Sequence, residues 1–241
     1  MTPNEKTIQE LRRENARLSE KNKALEKTHQ EDMTENFRLR RMFEAYAGGG
    51  MLSGLKILEE VRAGRIEITD FDQRRLNPNS YNIRLHNELL VYDTDRINPE
   101  TGDMQHTSHG PLDMKKMNPH HTIKIPEKGL LLQPNRLYLG QTMERTRTDF
   151  YVPAIDGRSS VGRLGIEIHV TAGFGDIGFT GWWTFEITCV QPVIIYPHVE
   201  IGQIYFQTIV GDFYKYESKK YQNNRGVQPS LMFQDFEEGR R

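Results

Sequence analysis

From Ile66 onward, apolar residues recur in short runs with a period near two, broken by Gly, Pro and Asn. That pattern predicts strands separated by tight turns. The runs are 66–68, 81–85, 89–92, 122–125, 129–132, 137–142, 150–154, 166–170, 182–188, 193–196 and 201–209. Many short strands with Gly and Pro turns give a mainly β chain, a sandwich or distorted jelly roll. Residues 94–121 carry little apolar periodicity and read as a long loop or insertion. One helical stretch, Ile57-Leu-Glu-Glu-Val-Arg62, precedes the first strand.

The N-terminal 46 residues follow a different period. Ile8, Asn15, Asn22 and His29 fall at one heptad position and Leu11, Leu18 and Leu25 at its partner, among strong helix formers. A short parallel coiled coil is expected, with Lys21 and Glu26 at facing g and e positions; a single solvated helix is the alternative, because asparagines weaken the seam. Residues 1–33 hold seven basic and seven acidic side chains, which does not suit a zipper-type DNA-binding arm. The predicted organisation is a helical segment at 1–46, a glycine linker at 47–50 and a β domain at 51–241.

Charge narrows the partners. Lys and Arg number 32 against 33 Asp and Glu, so no global positive field recruits duplex nucleic acid. No apolar run approaches the roughly 18 residues of a membrane span, and the start of the chain is charged rather than signal-like. A single cysteine offers no disulfide framework, and a cytoplasmic location is expected.

Chemistry concentrates in residues 156–186. Gly157-Arg158-Ser159-Ser160 combines free backbone N–H groups, two hydroxyls and a planar guanidinium, a set suited to phosphate oxygens. Taken alone it also reads as an ordinary hairpin turn. Strand 182–188 places Trp182, Thr184 and Glu186 on one face and Trp183, Phe185 and Ile187 on the other. Both faces are rich in apolar groups, so Glu186 is expected to be buried, with its pKa raised toward that of a proton shuttle. The alternative is a structural glutamate paired with a nearby arginine.

Several motifs then line up without a gap: Gly157-Arg158-Ser159-Ser160, Arg163, His169-Val170-Thr171-Ala172, Asp176-Ile177-Gly178-Phe179-Thr180-Gly181 and Glu186. Upstream stand Gly64-Arg-Ile-Glu-Ile and Leu76-Asn-Pro-Asn-Ser80-Tyr-Asn-Ile-Arg84-Leu; downstream, Ile201-Gly-Gln203 and Lys220-Tyr221-Gln-Asn-Asn-Arg-Gly226. Residues 51–236 thereby resemble the dCTP deaminase family of the dUTPase superfamily, which implies a dUTPase-like β-barrel with a C-terminal lid. The resemblance implies that Glu186 is the catalytic proton carrier for hydrolytic, zinc-independent deamination of dCTP to dUTP and ammonia. Ser159, Arg163 and the Ala172 carbonyl would hold the water and the developing charge, and Arg158, Ser159, Ser160 and Lys220 the triphosphate. Asp176 matches the deoxyribose contact, Thr184 the base-lining strand, and Gln203 a further nucleotide position. Tyr216, with Tyr214 as the alternative, matches the lid tyrosine, and Asn224 stands where the family usually has Gln. Mg²⁺ would arrive with the triphosphate. The resemblance further implies a homotrimer with active sites between subunits.

Gly173-Phe174 resembles the bifunctional members, which implies continuation to dUMP and pyrophosphate. Trp182 and Trp183 are bulky for a base pocket, leaving modified pyrimidines open as substrates. His86-Asn-Glu88 and His198-Val-Glu200 each satisfy half of a zinc deaminase signature, but Cys189 is the only cysteine and cannot complete it. His106, His109, His120 and His121 are expected to be solvated loop residues. Two other functions stay in view, a dUTPase and a weakly catalytic nucleotide-binding regulator.

Overall fold

In a computed structural model the described residues are 14–30, 49–97, 101, 103–169, 171–217 and 220–237. The chain divides between residues 49 and 50 into two units. In the first, residues 14–30 form helix α1, with Leu18 and Leu25 exposed. Ile8 and Leu11, which open the heptad pattern, lie outside the described residues, as does the first half of the linker.

The second unit begins with helix α2 (Gly54–Arg62). Ser53 caps its N-terminus by accepting from the Lys56 amide at 3.2 Å, and Ile57 and Leu58 are buried. Glu60, also buried, is clasped by Arg65 at 2.5 and 2.7 Å and by Lys56 at 3.0 Å. Four residues after α2 the chain enters its sheets.

The strands are β1 (Ile66–Ile68), β2 (Tyr81–Tyr92), β3 (Arg96–Ile97), β4 (Met104–Gln105), β5 (His120–Lys124), β6 (Leu130–Leu132), β7 (Tyr138–Thr148), β8 (Val152–Gly157), β9 (Ile166–Glu167), β10 (Thr180–Cys189), β11 (Val193–Ile195) and β12 (Glu200–Gln207). The four-residue helix α3 (Ser159–Gly162) follows β8. The main antiparallel sheet runs β8-β12-β2-β7-β10-β9, with β1 added to β7 and β5 to β2; β11–β6 and β3–β4 form two small sheets. The mainly β expectation therefore holds, with corrections of extent: the 166–170 run is strand only at Ile166–Glu167, and the 150–154 run is strand from Val152 to Gly157. Runs 81–85 and 89–92 are one strand, since the polar His86-Asn87-Glu88 stretch is absorbed where the β2–β7 register shifts. Strand β7 continues past Thr142, because Glu144, Thr146 and Thr148 are buried polar residues that interrupt the apolar pattern without interrupting the ladder. The 94–121 segment contains the β3–β4 hairpin, and His120 and His121 lie on β5 rather than in a loop.

Tyr81, Ile83, Leu85, Leu89, Phe185, Ile187, Ile204 and Phe206 form the centre of the core, all essentially inaccessible. Each such aliphatic or aromatic side chain contributes about 1.5–3 kcal/mol of burial free energy. Gly202 on β12 lets the strand pack closely on the core: a Cβ there would meet the Ile168 Cδ1 at 2.6 Å and the Phe185 ring at 3.2 Å.

A polar web ties this core to the turn after β8. Glu144, fully buried, accepts from Arg75 at 3.1 Å and from the Arg84 side chain and amide at 2.7 and 2.9 Å. Glu200 receives Asn82 at 2.8 Å and Arg158 at 3.3 Å, and its carbonyl takes the Arg158 Nη1 at 2.8 Å. Ser80 donates to Gln203 at 2.8 Å, and Gln203 donates to the Gly157 carbonyl at 3.2 Å. Among the described residues no helix is long and apolar enough to cross a membrane.

Candidate active site

Strand β10 alternates strictly: Trp183, Phe185, Ile187 and Cys189 are buried, while Trp182, Thr184, Glu186 and Thr188 are half-buried. The expectation that Glu186 is buried is corrected by this alternation. Its face is covered by loops and the chain's tail instead of a second sheet, and between floor and cover lies a cavity of about 630 Å³. At Trp182–Thr184 the β10–β7 register shifts. There the Trp183 amide donates to the Thr142 hydroxyl at 2.9 Å, which donates on to the Glu144 carbonyl at 2.7 Å. A side chain thus replaces a ladder partner and keeps the bulge satisfied.

Cross-strand pairing extends the floor. Glu186 lies opposite Leu139 of β7, and Leu139 opposite Leu90 of β2. Two residues on, on the same face, stand Leu137 and Tyr92, both lining the cavity. Burial pushes the Tyr92 phenol up, and the neighbouring Tyr221 and Glu186 push the same way, against a hydrogen bond from the Ser230 amide. Glu186 is thus close enough for its charge to be felt at Tyr92.

The cavity also gathers Ala172, Asp176, Thr184, Tyr216 and Asn224. The Ala172 carbonyl is contacted by His169 Nε2, while His169 Nδ1 is buried with no hydrogen-bond partner among the described residues. Tyr216 packs edge-on against Phe179 and its amide donates to the Ile177 carbonyl at 2.7 Å; Tyr214 is 94% exposed. Asn224 accepts from the Trp182 amide at 3.0 Å and donates to the Trp182 carbonyl at 2.8 Å. Gln222 does the same one step away, accepting from the Thr180 amide at 2.9 Å and donating to the Gly178 carbonyl at 2.8 Å. The tail is thereby stitched to the start of β10. Gly181 makes room for it, since a Cβ there would meet the Asn224 Oδ1 at 2.2 Å.

Other sequence-selected residues stand apart from the cavity lining. Arg158 caps α3 and leans on Glu200, Ser159, Ser160 and Arg163 are exposed around that helix, and Gln203 belongs to the polar web. Lys220 pairs with Asp235 of the tail at 2.6 Å. Conversely, Leu112, Met114, Lys116 and Asn118 of the insertion and Pro229, Ser230 and Met232 of the tail line the cavity although no motif marks them. Only the shared face of Trp182 and Glu186 hinted at this lining; the rest depends on long-range packing. Among the described residues no group of three or more His, Cys, Asp or Glu side chains is placed to share a metal ion.

The dCTP deaminase-like family model matches residues 51–209. The dCTP deaminase, dUMP-forming, of Clostridium beijerinckii is 57% identical over 187 residues, covering 78% of this chain and 99% of that protein. The protein of the same name from Hathewaya histolytica has the same identity and coverage, and that of Cytophaga hutchinsonii is 53% identical over 187 residues, again 78% and 99%. Among solved structures, the 2′-deoxycytidine 5′-triphosphate deaminase of Agrobacterium tumefaciens aligns at a TM-score of 0.47 and 20% identity, over 67% of this chain and 49% of that one. With a family model spanning most of the β domain and relatives above half identity along nearly their whole lengths, this chain belongs to the dCTP deaminase-like family.

Proposed function

We propose that this protein hydrolyses dCTP to dUTP and ammonia and carries the nucleotide on to dUMP and pyrophosphate, as the names of its relatives describe for them. The observation that carries this reading is the placement of Glu186 on a cavity floor with Thr184 beside it and Ala172 and Asp176 on the same walls. Glu186 takes a proton from water as the oxygen attacks C4 of cytosine, then returns protons to the ring and to the departing amine. The C4–O bond forms, the C4–N bond breaks, and ammonia leaves, with the carboxylate acting as general base and then general acid. Asp176 holds the deoxyribose and Thr184 the base edge.

Arg158, Ser159, Ser160, Arg163 and Gln203 bind the triphosphate and steady the attacking water from a neighbouring copy, because in one chain they stand outside the cavity. A homotrimer with shared sites follows, and helix α1 reinforces it as a parallel coiled coil. Asn224 pins the lid, Tyr216 packs on the nucleotide, and Lys220 exchanges Asp235 for phosphate. Mg²⁺ comes as part of the nucleotide substrate, coordinated by phosphate oxygens. Charge balance and the lone cysteine support a cytoplasmic setting.

Incubation with dCTP and Mg²⁺, followed by separation of dCTP, dUTP and dUMP, tests the proposal. Formation of dUMP and ammonia from dCTP supports it; hydrolysis of dUTP with dCTP untouched gives a dUTPase instead; binding without turnover gives a regulator.

A further inference from the structure

Two segments far apart in sequence cover the cavity, and one side chain at the end of β2 touches both. The tail comes first. Gln222 and Asn224 fix its start to the backbone of residues 178–182, and the Leu231 amide donates back to the Tyr221 hydroxyl at 3.0 Å, closing residues 221–231 into a loop. Beside that closure the Ser230 amide donates to the Tyr92 hydroxyl at 2.7 Å, so β2 holds the far side of the loop. Pro229, Ser230 and Met232 reach the cavity lining on this support.

The insertion meets the same tyrosine from the other side. His120 on β5 is the cross-strand partner of Tyr92, and the two rings meet edge to face with centroids 6.3 Å apart. A carbonyl only accepts, so the His120 Nδ1–H donates to the Asn118 carbonyl at 2.9 Å. Asn118 organises the turn before it: its Oδ1 accepts from the Asp113 amide at 2.8 Å, and its Nδ2 donates to the Asp113 and Lys116 carbonyls at 3.0 and 3.2 Å. Asp113, Lys116 and Asn118 also line the cavity. The hydroxyl of Tyr92 thus serves one cover and its ring the other.

We propose that Tyr92 is a positioning residue for the deamination, a single post that places both the tail and the insertion over the cavity that holds Glu186. It touches no reacting atom in this role; it sets the walls that the substrate meets. Its bearing on turnover rests on the reaction proposed above, whereas the joining of the two covers stands on the contacts alone.

Tyr92→Phe keeps the ring and removes the hydroxyl. The Leu231 amide, whose own acceptor Tyr221 is untouched, should then exchange about fivefold faster in the free protein, while the Asp113 amide keeps its rate. His120→Leu should do the converse, speeding exchange at Asp113 and leaving Leu231 as it was. With dCTP, Tyr92→Phe should raise KM about fivefold and change kcat by less than about twofold. The pH profile of kcat should keep its shape, because burial raises the phenol above its ordinary value and it has no charge to lose near neutrality. Unchanged exchange at Leu231 overturns the proposal, as does faster exchange with KM unmoved. A fall in kcat with a displaced pH profile overturns it too, by making Tyr92 a proton donor. Absence of dCTP turnover in the unsubstituted protein removes the deaminase reading itself, and the exchange rates still decide whether Tyr92 joins the covers.

Discussion

Two glutamates on adjacent central strands mark two different regions of this molecule. Glu144 is inaccessible, and three donors from Arg75 and Arg84 meet its carboxylate; around it the web through Asn82, Glu200, Arg158, Gln203 and Ser80 pairs polar groups with one another. Glu186 is half-buried among aromatic and aliphatic walls, in a cavity large enough for a nucleotide base and sugar. In the first region the protein supplies all the partners, and the turn at Gly157–Arg163 is held in place from behind. In the second, polar groups stand beside apolar surface around open space, the arrangement of a ligand pocket. Motif residues are thus divided between a scaffold that presents the Gly-Arg-Ser-Ser turn outward and a chamber that holds Glu186.

The largest expected effect tests the chamber. Glu186→Gln keeps shape and loses the titrating group, and turnover of dCTP should fall by about 10²–10⁴-fold, while dCTP affinity changes by less than about threefold. Normal turnover erases the distinction between the two glutamates. The matching change in the scaffold is Glu144→Gln, which strips Arg84 of its carboxylate and leaves Arg75 only the longer ion pair with Glu200 at 3.8 Å, and should cost about 3 kcal/mol in urea unfolding. An unaltered unfolding midpoint means the web is not structural.

The division between regions was only partly legible in the sequence. The period of two in residues 182–188 gave both faces of β10, and the Gly-Arg-Ser-Ser turn announced itself by composition. Which face would be covered by a sheet and which by loops was not written there, so Glu186 was expected in the core. The insertion's contribution was invisible because Leu112 and Met114 sit in a segment without periodicity, and their role comes from the tail that meets them through Tyr92 and Phe236. The continuation of β7 was hidden for the opposite reason: Glu144, Thr146 and Thr148 look like surface positions until the arginines, Trp183 and the Phe150 amide that satisfy them in turn are seen in place.

Acid sharpens the contrast from outside both regions. The Arg65 guanidinium beside Glu60 holds its carboxyl down to about 2 from an ordinary 4.5. A carboxylate depressed in the folded state stabilises fully above the unfolded value and loses that stabilisation as pH falls from 4.5 toward 2. Stability should therefore drop by about 2 kcal/mol across that interval because of Glu60, and Glu60→Gln should flatten that part of the curve. A curve unchanged by the substitution assigns acid sensitivity elsewhere. Dependence of turnover on pH should be untouched by Glu60→Gln, since α2 contributes nothing to the cavity lining.

The smallest effect falls on the seam where the tail joins the chamber. Asn224 uses its oxygen and its amino group on the backbone of Trp182, and only a glycine at 181 leaves its side chain room there. Two partly buried hydrogen bonds of this kind are worth about 1 kcal/mol net, so Asn224→Ala should raise KM for dCTP about fivefold with a smaller change in kcat. If the residue pins the tail, the same substitution speeds amide exchange of Gln222 and Asn223, whose contacts with Gly178 and Thr180 belong to the same stitch. If instead Asn224 touched the nucleotide directly, KM would rise while exchange in the free enzyme stayed as it was. Asn224→Gln separates these further: the extra methylene moves the oxygen and amino group off the Trp182 backbone they both engage, so a pin is not rescued by the longer amide, whereas a direct nucleotide contact would be.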